Sequence, residues 1–475
     1  MLSKRIATPI ITMTLLAGCA VGPDYRPAEI DAGAGWTDPG ANGLASDADL
    51  AQWWRRFGDP TLDRLVETAL EQNLDIRETA ARVTEVRALR DAAAGGYWPA
   101  VNVSGSVSRR QLSENGPFPV GQIPGYPRNQ TVYDAGFDAS WELDVFGGTR
   151  RAIEAADARL QAAHETLRAA RLSVIAETAR VYISLRGAQH ERQAVTAAVE
   201  ASRSSTELVR RQFAAGEVPE AALAQAEASL AGIEAQLPIL EMQVRSAALS
   251  LGILLGELPE TEAGLADTRD GYVTLAPLPV GERADILRRR PDVRAAERKV
   301  AAATADIGVA TAELFPKIGI GAGGGFESLD TGNFFDSSSQ RLSITPFISW
   351  RIFDGGRIRA QIHASEARAT ASALVYEKAV KAALTDAERA LTRYNLGLAA
   401  LDHQDTAVAA AQRSYGFADA RYRAGEISLL ELLEAERVLR AAENAYAQIH
   451  TRAATDLVAL FKALGGGWQY RDNPA

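Results

Sequence analysis

The sequence predicts an α+β membrane protein built as a tandem repeat, in which a few long strands lead into helices longer than any globular domain requires. Three observations predict it. Tyr133 to Val145 alternates apolar and polar residues without a break. From Thr149 to Phe213 the pattern is helical, a run of about 98 Å at 1.5 Å per residue. Glycine punctuation also recurs at a fixed distance. Ala424-Gly425-Glu426 answers Ala215-Gly216-Glu217, and Leu464-Gly465 answers Leu255-Gly256, both 209 positions on.

The alternating stretch is the clearest element. Tyr133, Ala135, Phe137, Ala139, Trp141, Leu143 and Val145 fall on one face of an extended strand, and Asp134, Gly136, Asp138, Ser140, Glu142 and Asp144 on the other. At about 3.3 Å per residue it spans about 43 Å, whereas a tilted strand crosses an outer membrane in about 9–11 residues. The apolar face suits lipid and the acidic face a wet lumen. Trp98 to Val107, Lys317 to Phe326 and Leu342 to Ile352 are three further strands; Pro346 and Phe347 interrupt the alternation of the last.

The elements follow in order. Residues 1–18 read as a signal peptide: Lys4 and Arg5 precede the mostly apolar Ile6 to Leu16. The chain's one cysteine, Cys19, follows Leu16-Ala17-Gly18, so an internal disulfide is excluded. That tetrapeptide resembles a bacterial lipobox, which makes Cys19 the candidate lipidation site, the covalent lipid being the only cofactor-like group expected. Each buried acyl methylene contributes about 0.8 kcal/mol, so several chains anchor durably. Residues 19–60 read as an extended arm whose Trp36, Trp53 and Trp54 need cover. Residues 61–256 form the first repeat, opening with one helix from Thr61 to Ala94 that Gly95-Gly96 ends. Residues 108–131 read as a long loop, and a return helix runs from Pro219 to Leu255. Residues 257–290 join the halves. Residues 291–467 form the second repeat, with a long helix from Arg357 to Arg423, and 468–475 a C-terminal tail.

Formal net charge is −9, against any general grip on nucleic acid, and no run of 18 or more apolar residues exists, so no membrane-spanning helix is expected in the mature chain. The five histidines are scattered without metal or triad spacing, and Gly321 to Gly325 lacks the Gly-Lys-Ser/Thr of a phosphate loop, so neither an enzyme nor a metal site is expected. Four strands cannot close a barrel, and an open edge in lipid leaves backbone groups unpaired at several kcal/mol each. Several copies must therefore share one barrel; three give twelve strands.

Taken together, Leu16 to Cys19, Val21-Gly22-Pro23-Asp24-Tyr25, Trp53-Trp54 with Phe57-Gly58-Asp59-Pro60, Arg288 to Asp292, Ala295-Ala296-Glu297, Tyr422 to Glu426, Leu429 to Arg437 and Ala463 to Trp468 resemble the TolC-type outer-membrane factors, in the NodT-like lipoprotein branch serving resistance-nodulation-division efflux. The resemblance implies a homotrimer whose twelve-stranded barrel continues into a long helical periplasmic tunnel. It implies a channel, not an enzyme, that passes small toxic compounds such as antibiotics out through the outer membrane. A periplasmic adaptor and an inner-membrane transporter are the implied partners. Protein secretion or metal-ion efflux is the alternative cargo within the family; Met242 is the only methionine outside the signal, so no thioether relay for soft metals is visible. The resemblance places adaptor docking at Ala215, Gly216, Glu217, Ala424, Gly425 and Glu426. It places a periplasmic gate at Leu430, Glu431, Glu434 and Arg437, with glutamates where the family more often has aspartates. The basic residue common in the family near Ile427 is missing. Arg437 or Arg423 are the expected pairing partners of the acids, which repel around an axis unless paired.

Overall fold

In a computed structural model the described residues are 20–27, 33, 35–37, 50–114, 125–267, 271–278 and 280–471. Cys19 and the signal segment lie outside them. The helices are α1 Pro60–Gln72, α2 Leu74–Gly95, α3 Gly148–Ala214, α4 Glu220–Glu234, α5 Gln236–Leu254, α6 Arg283–Arg289, α7 Pro291–Ala312, α8 Arg357–Arg423 and α9 Leu429–Ala463. The strands are β1 Ala100–Gln111, β2 Asn129–Leu143, β3 Lys317–Ser328 and β4 Gln340–Ser349. Contacts divide the chain into two interleaved units, one of segments 1–28, 84–162 and 297–375, the other of 29–83, 163–296 and 376–475.

The first unit holds the sheet. Its order is β1-β2-β3-β4, each neighbour antiparallel. The register keeps the two faces of β2 separate across all four strands. Tyr133, Phe137 and Trp141 share a face with Val107, Val103, Phe326, Ile320, Leu342 and Ile344. Asp134, Asp138 and Glu142 share the other with Ser106, Asn102, Glu327, Arg341, Ser343 and Thr345. On that polar face β3 presents Gly319, Gly321, Gly323 and Gly325. The missing side chains leave room for partners to reach over the strand: Arg341 Nη2 meets Asp134 Oδ2 at 2.7 Å. They also explain Phe347, the residue that breaks the alternation of β4. Its ring occupies the space above Gly319, where an added Cβ would lie 2.4 Å from Cζ.

The strand ends depart from expectation. β2 stops at Leu143, and Asp144, expected on the acidic face, caps α3 instead: its carboxylate accepts from the backbone N–H of Thr149 (2.9 Å) and Arg150 (3.0 Å). β4 stops at Ser349 rather than Ile352, opposite Lys317, where its partner strand begins; beyond it Trp350 donates its indole N–H to the Leu314 carbonyl at 3.0 Å. Trp141 makes the counterpart bond to Tyr97 at 2.9 Å, one repeat earlier. The expected loop at 108–131 is shorter, with β1 reaching Gln111 and β2 starting at Asn129.

The second unit is helical around a large apolar core, with a smaller cluster at Val195, Val199 and Leu240. Trp53 and Trp54 are fully buried in a short 3₁₀ turn, and Trp53 stacks on Phe461 at 4.9 Å. Thus part of the expected extended arm is a turn anchored in the core. Asp59 caps α1 by accepting from Thr61 N, with Pro60 in the first turn, where its missing N–H costs nothing. The helix expected from Thr61 to Ala94 breaks at Asn73. Its side-chain oxygen caps α2 at Asp75 N and Ile76 N, and its amide donates to Leu254 O at 2.8 Å. The return helix is likewise interrupted, at Ala235, because Pro238 has no N–H to give the preceding turn. Glu220–Leu254 is nevertheless long and apolar enough, by length and composition, to cross a membrane.

The repeat is close in element length. α3 and α8 each have 67 residues and start 209 positions apart, and α4–α5 spans 35 residues as α9 does. α2 and α7 have 22 residues each, and β1 and β3 have 12 each.

Candidate functional site

The helix ends that carry the candidate docking residues are built alike. Gly216 has φ 76° and Gly425 φ 75°. Glu217 N donates to Gln212 O, and Glu426 N to Arg421 O, both at 2.9 Å, so each long helix closes in a Schellman turn. An added Cβ at either glycine would meet nothing within 4 Å. The left-handed backbone, not crowding, therefore demands glycine here. Ala215 and Ala424 are the helix-side neighbours of these turns.

The four candidate gate residues open α9. Ser428 and Glu431 form a capping box: Glu431 N donates to Ser428 Oγ at 3.3 Å, and Glu431 Oε1 accepts from Ser428 N at 3.4 Å. The Ser-x-x-Glu signal was present in the sequence, and Ser428 is the residue that reading missed. Glu434 pairs with Arg437 one turn on, at 2.6 Å, which holds its carboxyl below the usual range. Both side chains are exposed, so the pair contributes only a few tenths of a kcal/mol, about 0.3. Arg423 is engaged by Asp419 at 2.9 Å and Arg421 by Glu426 at 3.3 Å. Leu430 is 67% exposed.

The two hairpins differ in how they are tied. In the first, Arg210 on α3 reaches Glu227 on α4 at 2.9 Å, and Arg203 reaches Glu234 at 2.8 Å. The positions 209 further on hold Asp419 and Glu436 for the first pair, and Gln412 and Glu443 for the second. At the first of these levels both equivalents are acids. Among the described residues no ion pair joins α8 to α9 near this tip; the pairs there run within one helix or across the turn.

In the first unit, the chain from Ala20 onward is fixed to the β2–α3 junction. Val21 N donates to Phe146 O at 3.1 Å. The buried Arg151 guanidinium donates to Val21 O (3.1 Å), Gly22 O (3.3 Å) and Asp24 Oδ1 (2.7 Å). Gly22, with φ 90°, lies so close to Gly308 that an added Cβ would be 2.4 Å from its Cα.

A third feature was not read in the sequence. Residues 271–278 lie against α3 and α9. His190 Nε2 donates to Gly271 O and His450 Nε2 to Val273 O, each at 3.1 Å, and Tyr394 donates to Ala276 O at 2.6 Å. Tyr272 stacks on His190 at 4.0 Å. Burial pushes His450 down to about 4, aided by the nearby His190.

A sheet with one lipid-suited and one polar face, leading into paired helices some 100 Å long, defines a class: an outer-membrane export duct. The comparisons specify the family. The model for outer membrane efflux proteins matches residues 65–257 and 283–466, and the chain belongs to that family. Over 473 residues it is 30% identical to the pyoverdine export outer membrane protein OpmQ of Pseudomonas aeruginosa, covering 98% of each chain. It is 31% identical to the toluene efflux pump outer membrane protein TtgF of Pseudomonas putida, covering 95% of each. The solved structure of the outer-membrane channel OprN superposes with a TM-score of 0.84 at 36% identity, covering 95% of this chain and 100% of that one. The protein is an outer-membrane efflux channel.

Proposed function

We propose that three copies of this chain close a twelve-stranded barrel and a helical tunnel. This duct passes small toxic compounds delivered by a periplasmic adaptor and an inner-membrane resistance-nodulation-division transporter. β1 and β4 each present one unpaired edge within the chain, which lipid does not tolerate. A lipid on Cys19 anchors the arm, and the next residue, Ala20, lies beside Gly147 at the strand–helix junction. The adaptor docks on the turns at Ala215–Glu217 and Ala424–Glu426. Relatives of comparable identity are named for pyoverdine and for toluene, so the cargo is set by the partner transporter rather than by this chain.

The observation that carries the gate is the asymmetry of the hairpins. The α3–α4 hairpin is stitched by Arg–Glu pairs across its helices, and the α8–α9 hairpin is not. The unstitched hairpin carries Leu430, Glu431, Glu434 and Arg437 and is the one that moves. Asp419→Arg places a cation opposite Glu436, as Arg210 stands opposite Glu227. It is expected to lower export of a pump substrate from cells and to lower open-state conductance in planar bilayers. The double variant Glu431→Ala with Glu434→Ala is expected to raise basal conductance. Unchanged conductance in both variants would overturn the gate.

A further inference from the structure

The foot of the sheet carries a cavity that the proposed duct does not yet use. It lies within the first unit, where β2 ends, β3 begins and α2, α3 and α7 meet them, half-open and 290 Å³ in volume. Small side chains on the helix ends leave the space: Ala93 on α2, Ala152 on α3 and Ala312 on α7. Leu143, Val145 and Val309 complete an apolar wall. Glu142 and Lys317 also line it, and both belong to the polar face of the sheet, so the cavity opens on that face. The chain from Ala20 onward packs on another side of the same helices. It touches Arg151 and Gly308, each adjacent in sequence to a lining residue and so turned about 100° from it. Among the described residues, none of that segment lines the cavity.

The lining holds three carboxylates against one ammonium, and they are unequally engaged. Asp144 accepts from the first N–H groups of α3 and from Arg150 Nε at 3.1 Å. Glu313 holds Lys317 at 2.8 Å. Glu142 is exposed and makes no hydrogen bond or ion pair among the described residues. Phe347 stands on the same rung as Glu142; its ring lies over the intervening Gly319 and is 42% exposed. The repeat shows that the acid is peculiar to this junction. Trp141-Glu142 is answered 209 positions on by Trp350-Arg351, and Arg351 lies outside the lining. Folding of the repeat therefore does not require an acid here.

We propose that this cavity binds an organic ammonium with an apolar body, as a stopping place for cargo passing from the helices to the barrel. The ammonium donates to Glu142, a charge-assisted bond stronger than a neutral one. Phe347 offers the same cation the face of its ring. The hydrocarbon body lies along Leu143, Val145, Ala152 and Ala312. An anion of the same shape would meet the uncommitted carboxylate and is rejected. Pockets for small ligands begin at about 300 Å³, so the ligand carries one ring rather than several. A half-open site holds it weakly, which suits a duct that must also release it. The placement of the cavity on the lumen rests on the proposed three-chain barrel; the binding itself does not.

Phenethylamine is the probe, with neutral phenethyl alcohol and anionic hydrocinnamate as controls. Binding is read by saturation-transfer NMR on the mature protein in lipid nanodiscs against empty nanodiscs, with the size of the complex read on the same samples. The protein is expected to prefer the amine to the alcohol by about tenfold. Glu142→Gln, an isosteric change, should abolish that preference, and Ala152→Phe, which fills the cavity, should abolish binding. Equal binding of amine and alcohol, or amine binding unchanged in Glu142→Gln, would overturn the site. In planar bilayers the amine is expected to block the current of the unaltered channel and not that of Glu142→Gln. Binding that depends on Glu142 without any block would overturn the lumenal stopping place. Single-chain complexes would overturn the proposed assembly, and the lumenal placement with it, while the nanodisc binding still decides the cavity.

Discussion

Gly187→Ala should destabilise the protein even though alanine is the better helix former, and the reason is a single contact. The new Cβ would lie 2.3 Å from both Cγ2 and Oγ1 of Thr451 and 2.8 Å from its Cβ. Carbon atoms in contact prefer about 3.5–4.0 Å. Thr451 cannot swing aside freely: its χ1 is stiff and its hydroxyl donates to Ala447 O at 2.7 Å. α3 and α9 must therefore separate by about 1 Å, and overpacking of this kind costs about 1–3 kcal/mol. The propensity gain of Gly to Ala in a helix interior returns about 1 kcal/mol. The net expectation is a loss of about 1 kcal/mol, read as a fall in the denaturation midpoint followed by helical circular dichroism in detergent. Thr451→Ala in the same chain removes the two 2.3 Å contacts but leaves the one at 2.8 Å. The double variant should then be about 1 kcal/mol more stable than the sum of the singles. A rise in midpoint for Gly187→Ala alone, with additive behaviour in the double, would show that helix propensity governs and that the close approach of the two helices is not present.

Two further outcomes are expected. Asn73→Ala removes two caps on α2 and the bond to Leu254 O, at a cost of about 2–4 kcal/mol, while Asn73→Asp keeps the caps and loses about half as much; equal losses in unfolding experiments would contradict this. His450 is neutral when buried, about 4 against about 6.5 in the unfolded chain, so the unfolded state binds the extra proton. Its contribution is complete above pH 6.5 and is lost as pH falls towards 4, by up to about 3 kcal/mol. His450→Gln keeps an N–H for Val273 O without titrating, so the midpoint gap between the two proteins should close between pH 7 and 4.5; a constant gap would contradict the burial argument.

Much of this fold is legible in the sequence, and the illegible parts have physical causes. The α8 ends fall at the residues that periodicity and glycine indicate, because Gly425 is the one residue suited to its left-handed turn. The two faces of β2 can be read because side-chain direction alternates strictly along a strand. What escaped reading depended on a partner distant in sequence, except at Asp144, whose partners lie five and six residues on. Asn73 reads as an ordinary helical residue until Leu254 is placed beside it. Asp144 continues the acidic alternation and leaves the strand only because the first N–H groups of α3 need an acceptor. The end of β4 is set by where β3 begins, Ser349 pairing with Lys317. At the candidate gate the sequence indicated that Glu431 and Glu434 share a face, and it held the capping signal at Ser428. The difference between the hairpins emerges only when Arg210–Glu227 is seen to bridge two helices and its shifted positions turn out to be Asp419 and Glu436.

The account depends most on the sheet being one third of a closed wall. Native mass spectrometry of the mature protein released from detergent micelles tests this most directly. The account predicts a complex of three chains, each heavier than its polypeptide by the acyl groups on its first cysteine. A single chain that stays folded and soluble after the detergent is removed would contradict it.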